Sequence, residues 1–264
     1  MTGLLLGAWR FRHYILSAIR ADFAARVSRS RLGVLWIVIA PMTQVAIYAV
    51  VLSAIMSARL PGIDSPFAYA IYLLSGFAAW TLFAELFGRG TTLFLENANA
   101  LRKIVFPRIA LPVILLGSCL VNNLVLVAAV LVAYLLLGHG WSASLLWLPV
   151  LVAVNAALAL ALGTIAGVLN VFMRDVGQIV PLLLQLGFWF TPVVYMETIL
   201  PEPVRAVLAL NPMYWVVRGY HDALAYGRMP DLAMLALIGV IALVLLAFAL
   251  LLFRRASADM VDVL

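Results

Sequence analysis

Six stretches of this chain run for about twenty residues or longer with almost no charge, at 32–56, 68–87, 109–137, 145–172, 176–195 and 232–253. A helix of roughly 20 apolar residues crosses the hydrocarbon core of a bilayer, and no soluble domain of this length buries six of them. We therefore expect an all-α integral membrane protein with six transmembrane helices, forming a single transmembrane domain over residues 1–264. Composition agrees: 66% of the residues are hydrophobic and 11% charged, against roughly 45–50% and 25% in soluble domains.

The basic residues set the orientation, because short cytoplasmic loops retain an excess of Lys and Arg. With six spans the termini share a side. On it fall Arg10, Arg12, Arg20, Arg26, Arg29, Arg31, Arg89, Arg102, Lys103, Arg108, Arg174, Arg254 and Arg255, while Arg59, Arg205, Arg218 and Arg228 fall opposite. Both termini are thus expected in the cytoplasm of a bacterium, with the chain in its inner membrane. The net charge of +6 follows this topology and does not point to nucleic acid, since the arginines are spread between spans. Leu4–Leu6 is too short for a signal peptide and no small-residue cleavage site follows it, so the mature chain is expected to start at Met1.

Three polar or broken segments stand out. Residues 1–31 precede the first span, and over 8–31 apolar residues such as Trp9, Tyr14, Ile15 and Ile19 alternate with arginines. This suits an amphipathic helix lying in the cytoplasmic headgroup layer, in contact with membrane lipids; a plain basic anchor is the alternative. Residues 88–108 are too polar to span, with a helix-compatible piece at 92–103 ended before Phe106-Pro107, and are a candidate docking element for a soluble partner. Outside, 196–230 is broken by Pro201, Pro203, Asn211-Pro212, Gly219 and Gly227. It is too short to cross twice, so we expect two short re-entrant half-helices between the fifth and sixth spans, with the break at Asn211-Pro212. Non-helical backbone at that depth needs protein or water around it.

Catalytic chemistry is poorly supplied. Glu85 is essentially the one membrane-embedded acid, near the expected cytoplasmic end of its span, and has Arg89 one turn away, the spacing of an i,i+4 pair. His13, His139 and His221 are scattered over both sides, Cys119 is the single cysteine, and no metal-ligand set or nucleophile–base pair can be assembled. The sole lysine, Lys103, does not follow a glycine, so the chain holds no phosphate-binding loop. If ATP drives this protein, a separate subunit hydrolyses it, and no cofactor is expected in this chain. Aromatics are the richer signal. Tyr48 on the first span, Tyr72, Trp80 and Phe83 on the second, and Phe188, Trp189 and Tyr195 on the fifth are candidate channel-lining residues, whose faces suit a sliding amphipathic polymer such as a sugar chain; interfacial anchoring is the alternative for each. The Asn122-Asn123 pair offers hydrogen bonds to a cargo or to a neighbouring helix.

Several long blocks carry a family resemblance: Arg31-Leu32-Gly33-Val34-Leu35-Trp36 with Pro41, the stretch ENANALRKIVFPRIALP at 96–112, NVFMRDVGQIVPLLLQ at 170–185, Thr191-Pro192-Val193-Val194-Tyr195, and LNPMYWVVRG at 210–219. With these, nearly the whole chain resembles the permease subunits of ABC-2 type exporters, especially those moving lipid-linked O-antigen, capsular polysaccharide or teichoic acid. It departs from them at Val27-Ser28-Arg29-Ser30, where an aromatic residue is common.

The resemblance implies a permease paired with a second copy of itself and with two copies of a cytoplasmic ATP-binding-cassette ATPase, which binds the ATP and magnesium. Carried over, Arg29, Arg31, Leu32, Gly33 and Trp36 form the cytoplasmic entrance. Glu96, Asn99, Arg102, Lys103, Phe106 and Pro107, with Arg174 and Asp175, couple to the ATPase. Asn211, Pro212, Tyr214 and Trp215 belong to the external gate. The expected cargo is a lipid-linked glycan, O-antigen before capsular polysaccharide or teichoic acid. The alternatives are a drug or small-lipid exporter of the same class and an intramembrane transferase.

Overall fold

The computed structural model describes residues 11–28, 33–56, 67–101, 108–257 and 259–263. Among these the regular structure is helical: α1 (Arg12–Ser28), α2 (Leu35–Met56), α3 (Ala68–Glu96), α4 (Ala98–Leu101), α5 (Ala110–Leu136), α6 (Leu148–Phe172), α7 (Val176–Trp189), α8 (Glu202–Leu208), α9 (Pro212–Tyr220), α10 (Leu232–Ala256) and α11 (Asp259–Val263). A 3₁₀ turn, Ala143–Trp147, leads directly into α6, and a π turn, His221–Ala225, closes α9. Among the described residues four stretches are long and apolar enough to cross a membrane, Ala68–Glu96, Ala110–Leu136, Ala143–Phe172 and Leu232–Ala256.

Two helices differ from the lengths expected of them. The second span continues without a break to Glu96, so the first part of the polar 88–108 segment extends a membrane helix, and only α4 follows it as a separate piece. Nothing between Gly88 and Glu96 breaks a helix, and the side chain of Asn97 ends it by donating to Leu93 O at 2.8 Å. Conversely α7 stops at Trp189 instead of 195. Thr191 precedes Pro192 and is disfavoured in helical geometry, and Pro192 has no donor for the ladder.

The centre of the molecule is α3, most of whose residues between Ile71 and Phe94 are buried. It packs most extensively on α6, which carries α10 on its other side, while α5 and α2 lie beside it. Small residues make the α3–α6 crossing close: a Cβ added at Gly90 would fall 2.7 Å from Gly163 Cα, and one at Gly167 2.3 Å from Gly90 O. Between membrane helices such backbone approach supplies the packing that the hydrophobic effect supplies in water.

Three asparagines then bond to α3 backbone carbonyls: Asn123 to Ala78 O at 3.1 Å, Asn155 to Ala79 O at 2.8 Å and Asn170 to Thr91 O at 2.9 Å. Asn170 also accepts from Gly177 N at 2.9 Å, tying the start of α7 to the same helix. Tyr134 of α5 donates to Ile71 O at 2.8 Å. Each such bond contributes on the order of 1 kcal/mol and fixes the rotation of a helix that apolar packing alone would leave free.

α1 lies against α5. Its less exposed stripe is Ile15, Ala18, Ile19, Asp22 and Phe23, the i, i+3, i+4, i+7, i+8 spacing of one helical face. Asp22 reaches Arg89 of α3 at 3.1 Å. Nearby, Phe94 stacks on Phe253 with centroids 5.0 Å apart, Met260 of α11 is buried, and Arg108 donates to Ser257 O.

Candidate transport groove

Between α2, α3, α5 and α7 runs a groove of about 780 Å³. Its walls follow helical periodicity. From α3 come Phe77, Trp80, Thr81, Ala84 and Glu85, from α2 Ile37, Ala40, Pro41, Gln44 and Tyr48, from α5 Asn122, Asn123 and Leu126, and from α7 Leu184, Gln185, Phe188 and Trp189. Each set repeats at three to four residues, so one face of each helix turns to the same space. Trp36, near the start of α2, also lines the groove and is half exposed.

The aromatic rings form a continuous surface. Phe188 is the hub, with centroids 5.8 Å from Phe77, 5.6 Å from Trp80, 6.2 Å from Tyr48 and 5.5 Å from Trp189. Trp80 continues to Phe83 at 5.6 Å and Phe83 to Phe87 at 5.8 Å. Most of these pairs are tilted or edge-on, the arrangements that ring quadrupoles favour, and the interlocking holds the rings in place without backbone hydrogen bonds. The polar groups among them are Gln44, whose amide lies 3.5 Å from Tyr48 OH, Thr81, which donates to Phe77 O at 2.7 Å, the exposed Gln185, and Asn122 bonded to Glu85 at 2.8 Å.

Of the seven aromatics expected to line a channel, Tyr48, Trp80, Phe188 and Trp189 meet in this groove and Phe83 stacks behind Trp80. Tyr72 and Tyr195 lie elsewhere. Tyr72 is buried, with its hydroxyl 2.9 Å from Tyr195 O and 3.3 Å from Pro192 O, and its ring centroid 3.7 Å from that of His221. Tyr195 follows the end of α7 and donates back to Trp189 O at 2.8 Å. Both tyrosines fasten the turn that follows α7; Tyr69 adds a bond to Val194 O.

Ahead of α2, Gly33 has φ 46°, a left-handed backbone that glycine adopts without strain, and it starts the turn that leads into α2. Arg29, Arg31, Leu32, Arg102, Lys103, Phe106 and Pro107 lie outside the described residues. Glu96, Asn99, Arg174 and Asp175 are exposed. Glu85 and Arg89 pair at 3.3 Å, and Arg89 also holds Asp22, so the pair expected within one helix is part of a bridge from α1 to the groove wall.

After α7, α8 and α9 are separated at Asn211, whose side chain caps Met213 N at 3.0 Å and donates to Thr191 Oγ1 at 2.9 Å and Phe190 O at 3.3 Å. One residue thereby starts α9, with Pro212 in its first turn, and satisfies the end of α7. Trp215 donates to Ala209 O at 2.8 Å, and Arg218 lies 5.4 Å from the Trp215 ring and 3.5 Å from Glu197. Tyr214 donates to Glu197; burial together with this bond pushes its hydroxyl up to about 12.

Burial pushes the His221 imidazole down to about 3, so it is uncharged at neutral pH. Burial also holds the Asp222 carboxyl above the ordinary range, against the pull of Arg228 at 2.6 Å. The segment after α5 finishes the π turn: Ser144 donates to Ala223 O at 2.7 Å, Ser142 to Gly227 O at 2.8 Å, and His139 Nε2 lies 3.1 Å from Leu224 O.

Sequence reasoning did not single out Gln44, Thr81 and Gln185. Their signal was present, as uncharged polar residues inside apolar runs and in register with the aromatics. It also passed over the Gly163–Gly167 pair, a small-xxx-small spacing at the α3 contact.

Residues 13–225 match the family described as ABC-2 type transporter. The chain is 29% identical over 248 residues, 93% of each chain, to a Myxococcus xanthus protein named O-antigen export system permease protein RfbA. It is 26% identical over 212 residues, 79% of this chain and 78% of the relative, to a Klebsiella pneumoniae protein of the same name.

Proposed function

The chain belongs to the ABC-2 type transporter family and is a multi-pass membrane protein, and from that premise we propose that it is the permease subunit of an ATP-driven exporter of lipid-linked O-antigen. The relatives' names point to that cargo. The single observation that carries the reading is the groove: a continuous aromatic surface with uncharged amide and hydroxyl groups, open along one side of the protomer. Aromatic faces take the apolar faces of sugar rings whatever their sequence, and amides both donate to and accept from sugar hydroxyls.

In this reading α2 and α7 complete a set of six spans in the inner membrane, with both termini in the cytoplasm. Two copies face each other across a twofold axis, with the exposed sides of α2 and α7 toward it, and their grooves together form the path. Two copies of a cytoplasmic ATPase bind ATP and magnesium and press on α1 and on the segment after α3. The lipid-linked headgroup enters past the arginines preceding α2, whose guanidinium groups suit a phosphate. The Asp22–Arg89–Glu85 bridge carries movement of α1 to the groove wall, and α8 and α9 close the outer end. The chain itself makes and breaks no covalent bond.

The test is co-expression with candidate ATPase subunits and measurement of ATP hydrolysis by the purified complex with and without a lipid-linked glycan. Copurification in equal copies with stimulation by the glycan is the expected result. Copurification without stimulation transfers the assignment to a drug or small-lipid exporter. Failure to bind any ATPase refutes the permease reading.

A further inference from the structure

The charge of the groove bears on which glycan it admits. Among the described residues that line it, Glu85 alone carries a full charge, and no lysine, arginine or histidine is present. The nearby guanidinium of Arg89 does not line the groove and is held at 3.1 Å by Asp22 and 3.3 Å by Glu85. The remaining polarity comes from uncharged groups, with Gln44, Thr81 and Gln185 set among the rings, and Asn122 holds the Glu85 carboxylate toward this wall through a 2.8 Å bond. Resting on the exporter reading above, we propose that the groove admits a glycan of uncharged, hydroxyl-rich sugars and rejects a polyanionic one, with Glu85 as a specificity-determining residue.

The argument is electrostatic. A cargo carboxylate or phosphate entering the groove leaves water and meets no cation among the described lining residues to replace its hydration. At about 6 Å from the Glu85 carboxylate, in an effective dielectric of about 20, like-charge repulsion disfavours it by up to about a hundredfold, less the part that Arg89 beside that carboxylate gives back. A polymer with an acid in every repeat meets that penalty again at each step, and in a paired assembly it meets two such carboxylates. Neutral hydroxyls escape the penalty, because the amides and the carboxylate are hydrogen-bonding partners for them.

The experiment reconstitutes the complex of this chain with its ATPase in liposomes and uses two lipid-linked glycans of equal length, one of neutral hexoses and one with a uronic acid in each repeat. The neutral glycan is expected to stimulate ATP hydrolysis at a concentration at least tenfold lower than the acidic one. Glu85→Gln is expected to narrow that gap. Gln185→Lys, on an exposed position of the wall, is expected to narrow or invert it, and decides the matter if Glu85→Gln fails to fold. Equal stimulation of the wild type by both glycans overturns the proposal and leaves the exporter reading intact. A gap untouched by both substitutions overturns the role of Glu85. No stimulation by either glycan removes the exporter reading, and the proposal with it.

Discussion

Gly167 and Gly117 form a matched pair for testing where the rigidity of this fold lies. An added Cβ at Gly167 falls 2.3 Å from Gly90 O, and one at Gly117 falls 2.3 Å from Ile19 Cδ1. The overlap is equal and the neighbours are not, since one is the backbone of the central helix and the other the tip of a side chain. To bring the carbonyl contact to about 3.3 Å, Gly167→Ala must part α3 from α6 by about 1 Å. Such a gap forfeits up to about half the dispersion energy of the facing atoms. With on the order of 40 atom pairs at about 0.15 kcal/mol each, the loss is about 3 kcal/mol. Alanine returns about 1 kcal/mol through a stiffer unfolded chain and better helix propensity, leaving a net cost of about 2 kcal/mol. Gly117→Ala only turns Ile19 aside, at about 1 kcal/mol, which the same gain offsets.

At about 2–4 °C per kcal/mol for a chain of this size, Gly167→Ala should lower the melting midpoint by about 4–8 °C and Gly117→Ala by less than about 2 °C. The assay is the fraction of detergent-purified protein that stays monodisperse in gel filtration after stepwise heating. Equal shifts for the two variants would refute the argument that backbone approach, and not overlap as such, sets the cost.

Further outcomes follow from other sites. His221 has its folded pKa below the unfolded value of about 6.5, so the folded state binds fewer protons and stability falls as pH drops below about 6.5 toward about 3; the loss is about 2 kcal/mol between pH 6.5 and 5. His221→Asn should show a smaller decline in melting midpoint over that window, and an identical decline counts against a buried neutral imidazole. Asp22→Asn, at a pair whose side chains are about one third exposed, should cost under about 1 kcal/mol of stability while lowering glycan-stimulated ATP hydrolysis; unchanged stimulation means that the link to Arg89 transmits nothing. Trp80→Ala should raise the half-saturating glycan concentration about tenfold, the loss of about 1.4 kcal/mol of ring contact, as read by the same ATPase titration. Asn211→Ala removes a helix cap worth about 1 kcal/mol and should lower the melting midpoint by about 2–4 °C.

The helical class and the long spans were legible because a bilayer imposes length and apolarity on each crossing, and 109–137 or 232–253 state both without ambiguity. Boundaries set by a local breaker were partly legible. Asn211-Pro212 announced the gap between α8 and α9, whereas Thr191-Pro192, quoted for its family likeness, was not read as the stop that ends α7 at Trp189. The tail of α3 was hidden because polar residues after Gly88, with Gly90, Thr91 and Thr92 of low helix propensity, suggested a loop, while the close packing of Gly90 on Gly163 holds the helix on. Tyr72 and Tyr195 fall outside the groove for a related reason: residue type marks a ring, but which way it faces depends on helix rotation, and that rotation is set by contacts such as Asn123 to Ala78 O and Gly90 to Gly163. Those contacts join residues 45 to 73 positions apart, beyond any local pattern.

The 14 residues of α7 rise about 21 Å, against a hydrocarbon core of about 30 Å. In the paired assembly proposed above, Leu182, Leu183, Leu186 and Trp189 on its exposed surface turn toward the second copy, so the shortfall of about 9 Å lies between the copies and not against lipid. A path bounded by a helix of that length is that much shorter than the hydrocarbon is deep. In the exporter reading, a sugar chain following α7 has correspondingly less apolar wall to pass.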